Sequence, residues 1–69
     1  MNYSEQTILR VLLDDPRAVA ILERHLPGAT AHPQLNLALD MSLREIAWYP
    51  ESGLTPAKLA ALVTDLKEL

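Results

Sequence analysis

The chain alternates short apolar stretches with polar breaks, and the same order of signals occurs twice. A hydroxyl residue opens a short apolar stretch, and a proline then opens a longer amphipathic one. The first copy runs Thr7 to Leu13 and then Pro16 to Leu26; the second runs Ser42 to Trp48 and then Pro56 to Leu66. Val19, Leu22 and Leu26 fall in the first proline-opened stretch where Leu59, Leu62 and Leu66 fall in the second. Apolar residues three and four apart share one face of an α-helix. The pattern therefore predicts helices in pairs, arising either from an internal repeat or from recurrence of the same capping rules.

The punctuation sets the boundaries. Residues 1–6 read as an extended or frayed lead-in. Thr7 is expected to cap a helix over about 8–14, its hydroxyl accepting from an orphan amide of the first turn. The residue before a proline disfavours the α region, so Asp14-Asp15-Pro16 ends that helix. Asp15 then caps the next one, with Pro16 at its first position. Ala18, Val19, Leu22 and Leu26 make its inward stripe, with Ile21 beside it. Pro27-Gly28 stops the helix, because proline cannot continue it and glycine tolerates a left-handed C-terminal cap. Ala29 to Pro33 reads as a loop, and Pro33 as the start of a short helix through Asp40 with Leu35, Ala38 and Leu39 inward. Ser42 and Glu45 have the spacing of a capping box, followed by Leu43, Ile46 and Ala47 on the inner face. Tyr49-Pro50 ends that helix, Glu51-Ser52-Gly53 turns the chain, and Thr55-Pro56 repeats the cap-plus-proline start. Leu59, Leu62, Val63, Leu66 and Leu69 are the inner face of the last helix.

No segment alternates with period two, so no sheet is expected. The prediction is an all-α fold, a small orthogonal bundle of about five short helices around one aliphatic core, forming a single domain over residues 1–69. Its core should be Leu22, Leu26, Leu43, Ile46, Leu59, Leu62 and Leu66.

Composition narrows the function. At 69 residues with no cysteine, the chain is near the lower limit for folding alone and has no disulfide to help it, which leaves association as the common support. The missing thiols also exclude a thiolate nucleophile and thiolate metal ligands. The net charge is −3, and Arg10, Arg17, Arg24, Arg44, Lys58 and Lys67 are scattered, so no nucleic-acid surface is expected. No apolar run reaches the roughly 18 residues needed to span a membrane. The lead-in Met1 to Gln6 is polar and lacks the regions of a signal peptide, so a cytoplasmic location is expected.

The order of elements resembles a bacterial family of unknown function, the hybrid-cluster-associated redox disulfide domain, which also occurs at the N-terminus of di-iron repair proteins. The matching residues are Thr7-Ile8, Asp15-Pro16, Ile21 to His25, Gly28, Ser42 to Ala47, and Leu54-Thr55 leading to Leu59 and Leu62. They cover nearly the whole chain and are mostly structural. The resemblance implies a small helical domain. The family's cysteine motif lies in the loop after its histidine-bearing helix, and here that loop is Leu26 to Pro33 without a cysteine. No thiol chemistry is therefore implied for this chain. The Leu-Pro-Gly loop is also similar to that of cysteine-free helical modules fused to bacterial hydrolases, which implies an accessory role.

Four groups merit weighing as chemistry. His25 and His32 flank the Pro-Gly turn and could share a metal with Asp40, Glu23 or a second subunit; the plainer reading sets His25 at a helix C-terminus, where positive charge is favoured. Asp14-Asp15 has the form of an acid–base pair, yet adjacent carboxylates before a proline are better explained as caps. Asp40-Met41-Ser42-Leu43 resembles the prosthetic-group site of acyl carrier proteins, but with an extra residue between Asp and Ser and a helix broken early by Pro50. Trp48-Tyr49 places two aromatics at a helix end, as binding hot spots do, although Trp48 could simply cover the open end of a small core.

The reading that emerges is a non-catalytic interaction or accessory module that binds a protein partner or a second copy of itself. Trp48, Tyr49 and Leu69 are the expected contact residues, and no cofactor or metal is assigned. A thiol-less, ligand- or metal-responsive relative of the redox family is the alternative, and an acyl-carrier-like protein is third.

Overall fold

The first amides of an α-helix have no partner within it. Two short helices of this chain satisfy theirs by bonding to each other's lead-in. The computed structural model describes residues 3–69. Among them five α-helices follow in order: α1 (Leu9–Leu13), α2 (Pro16–His25), α3 (Leu35–Ala38), α4 (Leu43–Ala47) and α5 (Pro56–Leu66), with 3-10 turns at Ala29–Ala31 and Pro50–Ser52. The fold is all-α, and the described residues form no strand. A lone antiparallel bridge sets Ile8 opposite Ser42.

That bridge organises the fold. The Leu9 amide donates to the Met41 carbonyl at 2.9 Å, and the Leu43 amide donates to the Thr7 carbonyl at 3.1 Å. One residue further in, Arg10 donates to Leu39 and Arg44 donates to Glu5, both at 2.9 Å. The lead-ins match as well: Thr7 closes a turn onto Ser4 as Met41 closes one onto Ala38. Each bond of one half has its counterpart in the other, with Leu9 exchanging for Leu43 and Thr7 for Met41. The remaining early amides of α4 are met locally, where Glu45 N–H donates to Ser42 Oγ and the Glu45 carboxylate accepts from Ser42 N–H. Arg10 pairs with Asp40 and Arg44 with Glu5 across the same junction. These exposed ion pairs add little beside the backbone bonds.

The expected cap at Thr7 is corrected by this geometry. Helix α1 is preceded by Ile8 and has no side-chain cap, because the Thr7 hydroxyl is spent on the turn, accepting from Ser4 N–H at 2.9 Å. Residues 3–6 of the lead-in are bonded to the rest of the fold, with Glu5 accepting from Arg44 and Ser4 from Thr7; Met1 and Asn2 lie outside the described residues. Tyr3 is only 3% exposed, and its hydroxyl donates to Asp15 Oδ2 at 2.8 Å. Asp15 also caps α2 by accepting from Arg17 N–H at 2.9 Å, and the Arg17 guanidinium holds the same carboxylate. The Arg17 bonds first, and the Tyr3 hydroxyl second, hold the Asp15 carboxyl well below the usual carboxylate range.

Helices α2 and α5 start as expected, each with proline at its first turn and Asp15 or Thr55 as cap. They pack on each other, and His25 Nε2 meets Asp65 Oδ2 between them at 2.6 Å. The core contains Leu22, Leu43, Leu62 and Leu66 as predicted, together with Tyr3, Leu9, Leu12, Ala18, Ile21 and Leu54. Leu26, Ile46 and Leu59, also expected in the core, are half-buried and pack against it. On α2 the buried stripe is Ala18, Ile21 and Leu22, while Val19 is half-buried. The Pro33 helix is shorter than expected. The His32 ring accepts the Gln34 amide at 3.1 Å, so the chain turns there and α3 begins only at Leu35, with no fully buried residue. No helix among the described residues is long and apolar enough to cross a membrane.

Leu62 is completely buried. Leu62→Ala is expected to cost about 2–5 kcal/mol, comparable with a total stability of about 5 kcal/mol for a domain of this size. Urea denaturation checks this, and a midpoint equal to the parent's would mean that the inner face of α5 is wrongly assigned.

Because its folded value is depressed, Asp15 contributes stability that is complete above the unfolded carboxylate value near ~3.9. That stability is lost as the pH falls through the lower folded value. Asp15→Asn keeps a capping side chain but removes the charge. The variant should be less stable at neutral pH and should show a flatter loss of stability below about pH 4. An acid limb identical to the parent's would show that Asp15 does not carry it.

Candidate functional site

The segment between α2 and α4 has no fully buried residue from Leu26 to Met41, and the site lies beneath it. Gly28 turns the chain after α2 at φ 83°, a left-handed conformation open to glycine and strained for other residues. Glu23 reaches up from α2 and accepts the Thr30 amide at 3.0 Å and the Gly28 amide at 3.3 Å. The amides, Thr30 foremost, hold the Glu23 carboxyl below its ordinary range. The loop is thus pinned at one point, while α3 has no fully buried residue.

Between this segment and the α4 end of the molecule lies a cleft of about 410 Å³. Leu9, Leu22, Leu43 and Leu54 form its floor from the core, and Leu35 and Leu37 stand on the α3 side. Tyr49, Glu51 and Ser52 lie on the side of the Pro50–Ser52 turn, and His32 and Gln34 are further polar groups on the lining. The cleft is thus apolar inside with a few polar groups, the composition usual for binding sites and within their range of roughly 300–1,000 Å³.

The expected contact residues separate. Tyr49 lines the cleft and is 52% exposed. Trp48, next to it at the end of α4, is 78% exposed; it does not cover the core. Leu69 packs against the core and is not part of the cleft. Leu37, which the sequence reading did not single out, is 79% exposed and lines the cleft. Its one sequence signal was that it falls between the inward Leu35 and Ala38 of a helix too short to bury every face.

The other groups weighed as chemistry do not converge. His25 is engaged with Asp65 on α5, whereas His32 lies in the cleft. Among the described residues no three His, Asp or Glu side chains come together as a metal set. Asp15 is tied to Tyr3 and Arg17, while Asp14 is exposed at the end of α1. Ser42 is 7% exposed, with its oxygen in the capping box, an unsuitable position for attaching a prosthetic group.

No family model, no curated protein sequence and no solved structure matches this chain.

The exposure of Trp48 has a direct optical consequence. Its emission should be that of a hydrated indole, readily quenched by acrylamide, and should shift little on unfolding. Trp48→Ala should change stability by no more than about 0.5 kcal/mol. A blue-shifted, protected indole, or a large loss of stability, would show that Trp48 covers the core.

Proposed function

We propose that this protein is a small, non-catalytic interaction module, acting in the cytoplasm, whose contact surface is the rim formed by Leu37, Trp48 and Tyr49. The observation that carries this reading is the exposure of large apolar side chains: Leu37, at 79%, lines the apolar cleft, and Trp48, at 78%, directly precedes Tyr49, which also lines it. Exposed apolar side chains gathered in one region mark interaction sites on soluble domains, and aromatic residues supply much of the energy of such contacts. The groups that could do chemistry support the non-catalytic part: His25, Asp15 and Ser42 are each taken up in contacts that hold the fold. The partner is a protein or a second copy of this chain. For a second copy the rim would meet itself about a two-fold axis, since such an interface uses the same patch on both subunits.

One observation favours a second reading, that of a thiol-less relative of the redox disulfide family that responds to a ligand. The loop in which that family carries its cysteines is Leu26 to Pro33 here, and Leu26, Ala29 and His32 from it line the cleft.

Sedimentation equilibrium on the parent and on Trp48→Ala and Leu37→Ser tests the leading reading. The parent is expected to associate, and both variants to weaken that association without loss of helicity. A parent that stays monomeric at high micromolar concentration, and recovers no partner by affinity capture, would remove the support for it.

A further inference from the structure

The cleft does not end at its apolar floor. Leu26, Ala29, His32 and Ser52 also line a smaller recess of about 250 Å³, completed by Pro27, Gly28, Gly53 and Lys58. The shared walls set cleft and recess side by side in one depression, the cleft floored by leucines and the recess bordered by Lys58, His32 and Ser52 among apolar residues. The recess contains hydrogen-bond donors and no acidic side chain. Lys58 has no ion-pair partner among the described residues. His32 Nδ1 accepts the Gln34 amide, which leaves Nε2 as the protonated, donating nitrogen of the neutral ring. Ser52 Oγ accepts the Leu54 amide, so its own hydrogen is free to be donated. The backbone amides nearby are already used: Gly28 bonds to Glu23, Ala29 to Leu26 and Gly53 to Pro50. The acidic groups close by are Glu23, occupied with loop amides, and Glu51, which lines the cleft but not the recess.

We propose that this depression binds a medium-chain fatty acid, its aliphatic tail in the cleft and its carboxylate in the recess among Lys58, His32 and Ser52. Three features select that ligand. The floor is built of leucine side chains, which suits an unbranched hydrocarbon chain. The volume, at the low end of ligand sites, suits a single chain. The recess offers donors and a cation where the headgroup would lie, which fits an anion and disfavours a cation. The inference concerns the interior of the cleft and goes beyond the protein contact proposed for its rim.

Titration calorimetry with octanoate, decanoate and decyltrimethylammonium, below their micelle concentrations, tests it. Affinity should rise about four-fold per added methylene, the fold-change equivalent of ~0.8 kcal/mol per buried CH₂. Decanoate should bind at least about threefold more tightly than decyltrimethylammonium, a modest margin because Lys58 is exposed and its contribution is screened. Lys58→Glu should reverse that preference; the site is exposed, so the variant should fold, and circular dichroism verifies it. Absence of decanoate binding, an affinity independent of chain length, or a preference unchanged in Lys58→Glu would each overturn the assignment. So would a leucine-rich helical peptide that occupies the cleft and that decanoate does not displace. Because Lys58 is not on the rim, its variant should leave self-association intact, which separates failure of this inference from failure of the interaction reading.

Discussion

The structure depends on one set of backbone bonds, the exchange between the lead-ins of α1 and α4. A helix of five residues has more unsatisfied ends than internal bonds, and in isolation it would not form. Here the first amides of each short helix are met by carbonyls of the opposite lead-in, with Leu9 bonding to Met41 and Leu43 to Thr7. This fixes where Leu9 and Leu43 enter the core, and both are almost fully buried. The long helices α2 and α5 then close over these leucines. Either short helix without the other would present bare amides to an apolar interior, which is costly.

The same constraint explains why the cleft lies where it does. The exchange ties Leu39 and Met41 to α1, and Glu23 ties the start of the loop to α2. Between these anchors, α3 has neither a capping side chain nor a fully buried residue. The chain spans the gap without filling it, and core leucines line the cleft that remains. A longer α3 packed on the core would have closed the depression. The His32 ring, by taking the Gln34 amide, sets the start of α3 at Leu35.

What the sequence revealed was local. Asp15-Pro16, Ser42 with Glu45, and Thr55-Pro56 mark helix starts through contacts no more than three residues away, and each is found as read. The recurrence of signals was visible, but one residue out of register with the backbone exchange. The pattern aligned Thr7 with Ser42, whereas the bridge places Ile8 opposite Ser42 and makes Met41 the counterpart of Thr7. A shared hydroxyl suggested the wrong equivalence, because the Thr7 oxygen turns back to Ser4 while that of Ser42 turns forward to Glu45. Tyr3 and Leu54 could not be placed from spacing, since each is buried from a segment with no periodicity of its own. The cleft was illegible for the same reason. It is a gap between elements, and only Tyr49 among its lining had been singled out as a contact residue.

The reciprocal junction also governs the order of events during synthesis. Residues are made from the N-terminus, and the amides of Leu9 and Arg10 find their acceptors only when Leu39 and Met41 have been added. Until then the nascent chain holds an amphipathic α2 with no α5 to pack on and an α1 with no cap. Folding of this domain therefore waits until the chain beyond Met41 has been made, and until then the leucines of α1 and α2 have nothing to cover them.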